Sequence, residues 1–140
     1  AEIKNIAGIK DATGDLARVA TLRHLIGDRL IQFSGEDMTA VGFNAMGGRG
    51  VISVVSNIAP KLSAEVQNLS LAGKHEEARA LHAQLVPLIN AMFVETNPMP
   101  VKFASALIGK TDGSMRLPLV QPTEQTQATV RAALADLKLI

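Results

Sequence analysis

Apolar positions in this chain fall first in short runs and later in helical stripes. Ile6, Ala7, Gly8 and Ile9 lack the polar alternation of a half-solvated strand. The run therefore predicts a parallel strand buried on both faces, with Lys10 at its carboxyl end. Asp15 is placed as a helix N-cap, and Leu16, Val19, Leu22 and Ile26 recur on one helical face until Gly27. Leu30 to Phe33 predicts a second strand, closed by Ser34 and Gly35. A helix is expected from about Asp37 to Met46, ended by Gly47 and Gly48, whose freedom at positive φ suits a C-terminal cap. The β-branched run Val51 to Val55 predicts a third strand, with Ser56 and Asn57 after it.

The second half is written in helical periods. Pro60 is placed for a helix start, with Leu62, Val66 and Leu69 on one face up to Gly73. Ala78, Leu81, Leu85, Leu88 and Met92 mark a long amphipathic helix. Asn97, Pro98 and Pro100 interrupt it, and further helices are expected over Val101 to Leu107 and Thr123 to Leu137. Three strand-to-helix repeats imply an α/β fold with parallel strands. A three-stranded parallel sheet leaves both edges unpaired and an apolar face poorly covered. The pattern makes better sense as the last three βα units of an eight-stranded (β/α) barrel, over residues 1–72, followed by a C-terminal helical region, residues 73–140. A small open doubly wound sheet is the other architecture that fits.

Composition narrows the function classes. Of 140 residues 47% are hydrophobic, enough for an ordinary core. The 14 basic and 13 acidic residues nearly cancel and are scattered, and aromatic residues make up only 3% with no Trp or Tyr. No nucleic-acid partner is therefore expected. No apolar run approaches the roughly 18 residues that would span a bilayer, so no membrane partner is expected either. The chain has no cysteine, which fits a reducing, cytoplasmic setting. It starts AEIKNIAG, without an initiator Met, and reads as cut rather than started.

Candidate chemistry sits at the predicted strand ends, where barrels of this kind gather reactive groups. A lysine held in low dielectric favours its neutral form, and a neutral amine attacks carbonyl carbon, so Lys10 is the candidate catalytic residue. The plainer reading is a strand-end lysine reaching back to solvent. Ser34 to Asp37 either hold a carboxylate or phosphate on backbone amides or form a capped loop. Ser53, Ser56 and Asn57 line or follow the third strand. Lys102 and Glu95 read as a solvated pair at a helix boundary. The glycines of MGGRG follow a helix and precede a strand, the wrong order for a dinucleotide fingerprint. His75 and His82 share a helical face but stand about 10 Å apart along the axis, too far to ligate one ion. His24 lies in another element, and neither a metal nor another cofactor is expected.

Four segments in order, GIKDATGD, FSGEDM, AMGGRGVISVVSN and ETNPMPVKFA, resemble the dihydrodipicolinate synthase and N-acetylneuraminate lyase superfamily over essentially the whole chain. NPMPVKFA favours the synthase branch. The resemblance implies a class I aldolase-like enzyme in lysine and diaminopimelate biosynthesis. Lys10 matches the lysine that forms an imine with pyruvate, and the derived enamine attacks aspartate semialdehyde. Ile52 matches a residue whose backbone lies against bound pyruvate, and Gly35 a glycine lining the same pocket. Homotetrameric assembly is implied as well. The family's Thr-Thr carboxylate clamp, its tyrosine proton relay, its entrance arginine and its lysine feedback site all belong to the portion before Ala1. Asp11 stands where many members have Glu, on a side chain expected to point away from Lys10.

The chain is thus expected to be the C-terminal portion of such an enzyme, inactive without the N-terminal barrel portion. Two alternatives remain open: a sister aldolase acting on sialate or a keto-deoxy-sugar acid, and a non-catalytic oligomerisation module.

Overall fold

The computed structural model describes residues 2–140. Two strands and six α-helices follow in the order β1 (Gly8–Asp11), α1 (Ala17–Ile26), β2 (Ile31–Ser34), α2 (Ala40–Ala45), α3 (Pro60–Leu71), α4 (His75–Met92), α5 (Met99–Leu107) and α6 (Glu124–Asp136), with a 3-10 turn at Val55–Asn57 between α2 and α3. The chain forms two compact units, one of residues 1–53 and 64–82 and the other of residues 54–63 and 83–140.

In the first unit β1 and β2 pair in parallel, with Lys10 opposite Phe33 and Asp11 opposite Ser34. The N-cap expected at Asp15 falls one residue early: α1 takes Leu16 as its N-cap with no side-chain bond, while the Asp15 carboxylate accepts from the Ala17 amide at 2.9 Å just before it. Gly27, at φ 60°, ends α1 with its amide on the Arg23 carbonyl at 2.8 Å. Helix α2 is shorter than the pattern predicts, because Asp37 to Thr39 form a turn before it.

The predicted third strand is displaced. Pairing along the free edge of β2 runs from Arg49 to Ile52: the Arg49 amide donates to the Gln32 carbonyl, Ser34 to Gly50 and Ile52 to Ser34, at 2.8–2.9 Å. Only Val51 forms a ladder bridge, opposite Ser34. Val54 is already helical, at φ −82° and ψ −46°, and Val55 is fully buried in the turn that follows. Burial of Val55 thus overrides the strand preference of the β-branched run.

Burial on both faces of β1 is not realised either. Gln32, Ser34 and Asp11 are buried, whereas Lys10 is exposed, as are Ile31 at 45% and Ile52 at 51%. Because paired residues share a face of a sheet, one face carries Lys10, Ile31, Phe33, Gly35 and Ile52 and the other Ile9, Asp11, Gln32 and Ser34. The polar-rich face is covered. Helix α1 lies on that side, with its Val19 carbonyl accepting from the Gln32 amide at 3.2 Å and Arg18 on Asp11 at 2.7 Å.

In the second unit α5 packs against α6 and touches the 3-10 turn. Leu88, Met92, Ala104, Val130 and Leu134 are all fully buried, and the Arg131 guanidinium lies 5.3 Å from the centre of the Phe103 ring. Helix α6 starts one residue after its predicted first position, with Thr123 as N-cap. Among the described residues no helix is long and apolar enough to cross a membrane.

Candidate functional site

The carboxyl ends of β1, β2 and the Arg49–Ile52 segment bring three predicted site residues to one face. The Lys10 amine stem passes over Gly35. A methyl group on Gly35 would come within 2.6 Å of Lys10 Cε and within 2.6 Å of the Ala12 Cβ. Glycine is therefore required here by close approach, and its missing side chain is the space the lysine occupies. The Gly35 amide is spent on the Asp11 carbonyl at 2.7 Å, which fixes the chain as it leaves β2. Ile52 is tied to the same strand end through Ser34, and its side chain stands half exposed beside that surface.

Asp11 anchors the other side of β1. The Thr13 hydroxyl donates to its carboxylate at 2.6 Å, the Thr13 amide at 2.9 Å and Arg18 Nε at 2.7 Å. The Thr13 hydroxyl first, then Arg18, hold the carboxyl down at about 2. The same ion pair raises the Arg18 guanidinium. With its carboxylate clamped under the sheet, Asp11 holds the backbone from which Lys10 projects on the opposite face. Arg18 and Thr13 went unmarked by sequence reasoning. The D-x-T spacing of an Asx turn was the available signal.

The Ser34 to Asp37 loop is closed on itself. Ser34 Oγ donates to the Glu36 carbonyl and accepts from the Glu36 amide, both at 3.0 Å, and the Met38 amide donates to the Glu36 carboxylate at 3.1 Å. Its amides to Glu36 and Met38 are thus committed within the turn, which fits the capped-loop reading. Asn57 likewise donates to the Val54 carbonyl within its own turn, in the second unit.

Glu95 and Lys102 do not form a pair. Glu95 instead accepts from the Thr123 amide at 2.9 Å and the Thr123 hydroxyl at 2.7 Å. The Thr126 and Thr123 hydroxyls keep its carboxyl below the usual range. A carboxylate beside the N-terminus of α6 meets the positive end of the helix dipole there.

The glycines of MGGRG follow α2, as the order of elements requires. Gly47 has φ 101°, and a methyl on Gly48 would come within 2.2 Å of the Phe43 ring. His75 and His82 lie on α4, and His82 Nε2 bonds the Asp37 carbonyl at 3.0 Å. Among the described residues no three His, Cys, Asp or Glu side chains gather closely enough to hold a metal ion.

Comparison with known proteins places this geometry in context. Residues 1–137 match the model of the dihydrodipicolinate synthetase family. A 4-hydroxy-tetrahydrodipicolinate synthase of Bradyrhizobium diazoefficiens is 48% identical over 139 residues, covering 99% of this chain and 47% of that protein. A crystal structure of the chloride-inhibited dihydrodipicolinate synthase of Acinetobacter baumannii, complexed with pyruvate, superposes with a TM-score of 0.94 at 41% identity, covering 99% of this chain and 48% of that one. A structure described as the first monomeric dihydrodipicolinate synthase variant matches with a TM-score of 0.93 at 39% identity, over 100% of this chain and 48% of its own. The chain spans about half the length of the curated relatives it matches.

Proposed function

Since the chain belongs to the dihydrodipicolinate synthetase family, we propose that it carries the imine-forming part of a lyase that condenses pyruvate with aspartate semialdehyde. The observation that carries the reading is the close passage of Lys10 Cε over Gly35, on the face shared with Ile52. In this reading the Lys10 amine adds to the keto carbon of pyruvate and water leaves, giving the imine. Loss of a methyl proton then gives an enamine, whose carbon forms the new bond to the aldehyde carbon of aspartate semialdehyde. Gly35 leaves the space through which the amine reaches the keto acid, and the Ile52 backbone forms part of the wall against it.

The same proposal assigns the sheet to the last three βα units of an eight-stranded barrel. A face carrying Ile31 and Ile52 in the open is the inward face of such a barrel, and the covered face is the one that meets the outer helices. Lys10 then points into the barrel. A lysine without a carboxylate clamp and a proton relay lacks both positioning and general acid-base help, so the chain by itself is proposed to be inactive. Assembly of the completed protein as a homotetramer belongs to the same reading.

Borohydride reduction in the presence of pyruvate tests it. With the rest of the barrel supplied, a stable adduct is expected on the peptide containing Lys10 and none in Lys10→Arg. An adduct at another lysine, or none in the completed protein, overturns the assignment. Turnover of sialate or a keto-deoxy-sugar acid in place of aspartate semialdehyde would keep the imine and replace the aldehyde.

A further inference from the structure

A pocket of about 290 Å³ opens in the first unit where the chain leaves α2 and enters the Arg49–Ile52 segment, and the loop between α3 and α4 forms its other wall. Lys10 stands at the carboxyl end of its strand, whereas this pocket lies at the amino-end side of the Arg49–Ile52 pairing. Arg23, Arg49 and His75 converge on it. Among the described residues no carboxylate lines it.

The uncharged polar side chains there, Asn44 and Ser70, are accounted for. The Asn44 amide is spent on Gln67 at 2.8 Å and its oxygen on the Gly50 amide at 2.9 Å. Ser70 Oγ reaches the Val41 carbonyl at 3.4 Å. These side chains shape the pocket and leave little hydrogen-bonding capacity for a guest.

The cations differ. Arg23 lies against Gly47, where a methyl would come within 3.0 Å of its terminal nitrogen, so the bare glycine at φ 101° lets the guanidinium rest on the backbone. One terminal nitrogen pairs with Asp28 and the other donates to the Gly47 carbonyl at 2.9 Å. Arg23 Nε is buried and has no hydrogen-bond partner among the described residues. Asp28 partly offsets the charge of Arg23. For the Arg49 guanidinium and the His75 ring no partner is found among the described residues. The pocket therefore combines a guanidinium braced on Asp28 and the Gly47 carbonyl with an exposed second guanidinium and an imidazole.

We propose that this pocket binds a phosphate oxyanion, either free or as the monoester of a small molecule. Guanidinium groups present planar forks that match phosphate oxygens, and a site rich in donors favours an anion with several acceptor oxygens. The volume is close to the lower end of ligand pockets, about 300 Å³, which exceeds what a bare anion fills and leaves room for a short organic group.

The test is titration of the isotopically labelled 140-residue chain with inorganic phosphate and, separately, with glycerol phosphate, at ionic strength held constant with sodium chloride. Expected are saturating shifts of the Gly47, Gly48, Arg49 and His75 amides, with dissociation constants of about 1 mM or tighter. Tighter binding of glycerol phosphate would assign the site to a monoester, and equal binding to the free ion. Arg49→Ala is expected to weaken binding by about tenfold or more, with the unfolding temperature unchanged, since Arg49 is exposed. Arg49→Lys keeps the charge but loses the fork, and a loss of several-fold is expected there too. Shifts that rise linearly without saturating, shifts spread over the other basic residues, or unaltered affinity in both variants would overturn the proposal.

Discussion

Lys10 and Asp11 are neighbours in the chain with opposite surroundings, one projecting from an open face and the other clamped beneath the sheet. Strand alternation alone sets them apart, and that much is legible in the sequence. The clamp is not, because Arg18 reaches Asp11 only once α1 has folded back over β1. Its pH consequence has a definite sign. The folded carboxyl sits at about 2, below its unfolded value near 3.8, so the stabilisation is complete above the unfolded value and is lost as the pH falls toward 2. The urea midpoint of the wild-type chain is expected to fall between about pH 5 and pH 2.5, and the fall should be smaller in Asp11→Asn. Gly35→Ala tests the other side of the strand. The lysine stem can move from the new methyl group but the Ala12 Cβ, at 2.6 Å, cannot move without the backbone. A loss of about 1–3 kcal/mol is expected in denaturant unfolding, together with reduced pyruvate-dependent trapping on Lys10 in the completed protein.

At the scale of elements, helices were the more legible part. Helix α6 spans Glu124–Asp136 with Thr123 capping it, one residue inside each predicted end, because its cap, stripe and stop are all local. What the local pattern could not supply was the partner of that cap, since Glu95 lies 28 residues upstream. Thr123→Ala removes both the cap and the hydroxyl held by Glu95, and a loss of about 1 kcal/mol is expected in thermal or urea unfolding. Thr123→Ser should restore most of it. The strand at Val51 to Val55 was the least legible element. Its residue types favour a strand, but where pairing stops depends on how far β2 extends and on the burial of Val55, and both are tertiary facts.

The whole molecule shows an inverted sheet, with Gln32, Ser34 and Asp11 covered and Ile31 and Ile52 open. The sequence led to the expectation that a three-stranded parallel sheet would leave apolar surface uncovered, and the structure locates that surface on the side bearing Lys10. If the open face is the interior of a barrel, its remaining strands should restore both cover and activity. Mixing this chain with the complementary half of the Bradyrhizobium relative is expected to give condensation of pyruvate with aspartate semialdehyde, detected by consumption of the aldehyde. Neither half alone should turn over. Burial of the exposed Ile31 and Ile52 side chains on mixing, read from shifts of their methyl resonances, would report the docking independently of catalysis.

The sequence by itself determined the first two strands, the helical stripes and the place of Lys10 near a strand end, because each depends on contacts within a few residues. Its four motifs also pointed to the right family. Only the tertiary structure decided which face of the sheet is covered, where the third segment stops pairing, that Gly35 makes room for Lys10, and that Arg23, Arg49 and His75 meet at one pocket. Those outcomes depend on groups far apart in the chain being brought within a few ångströms, and no local pattern encodes that distance.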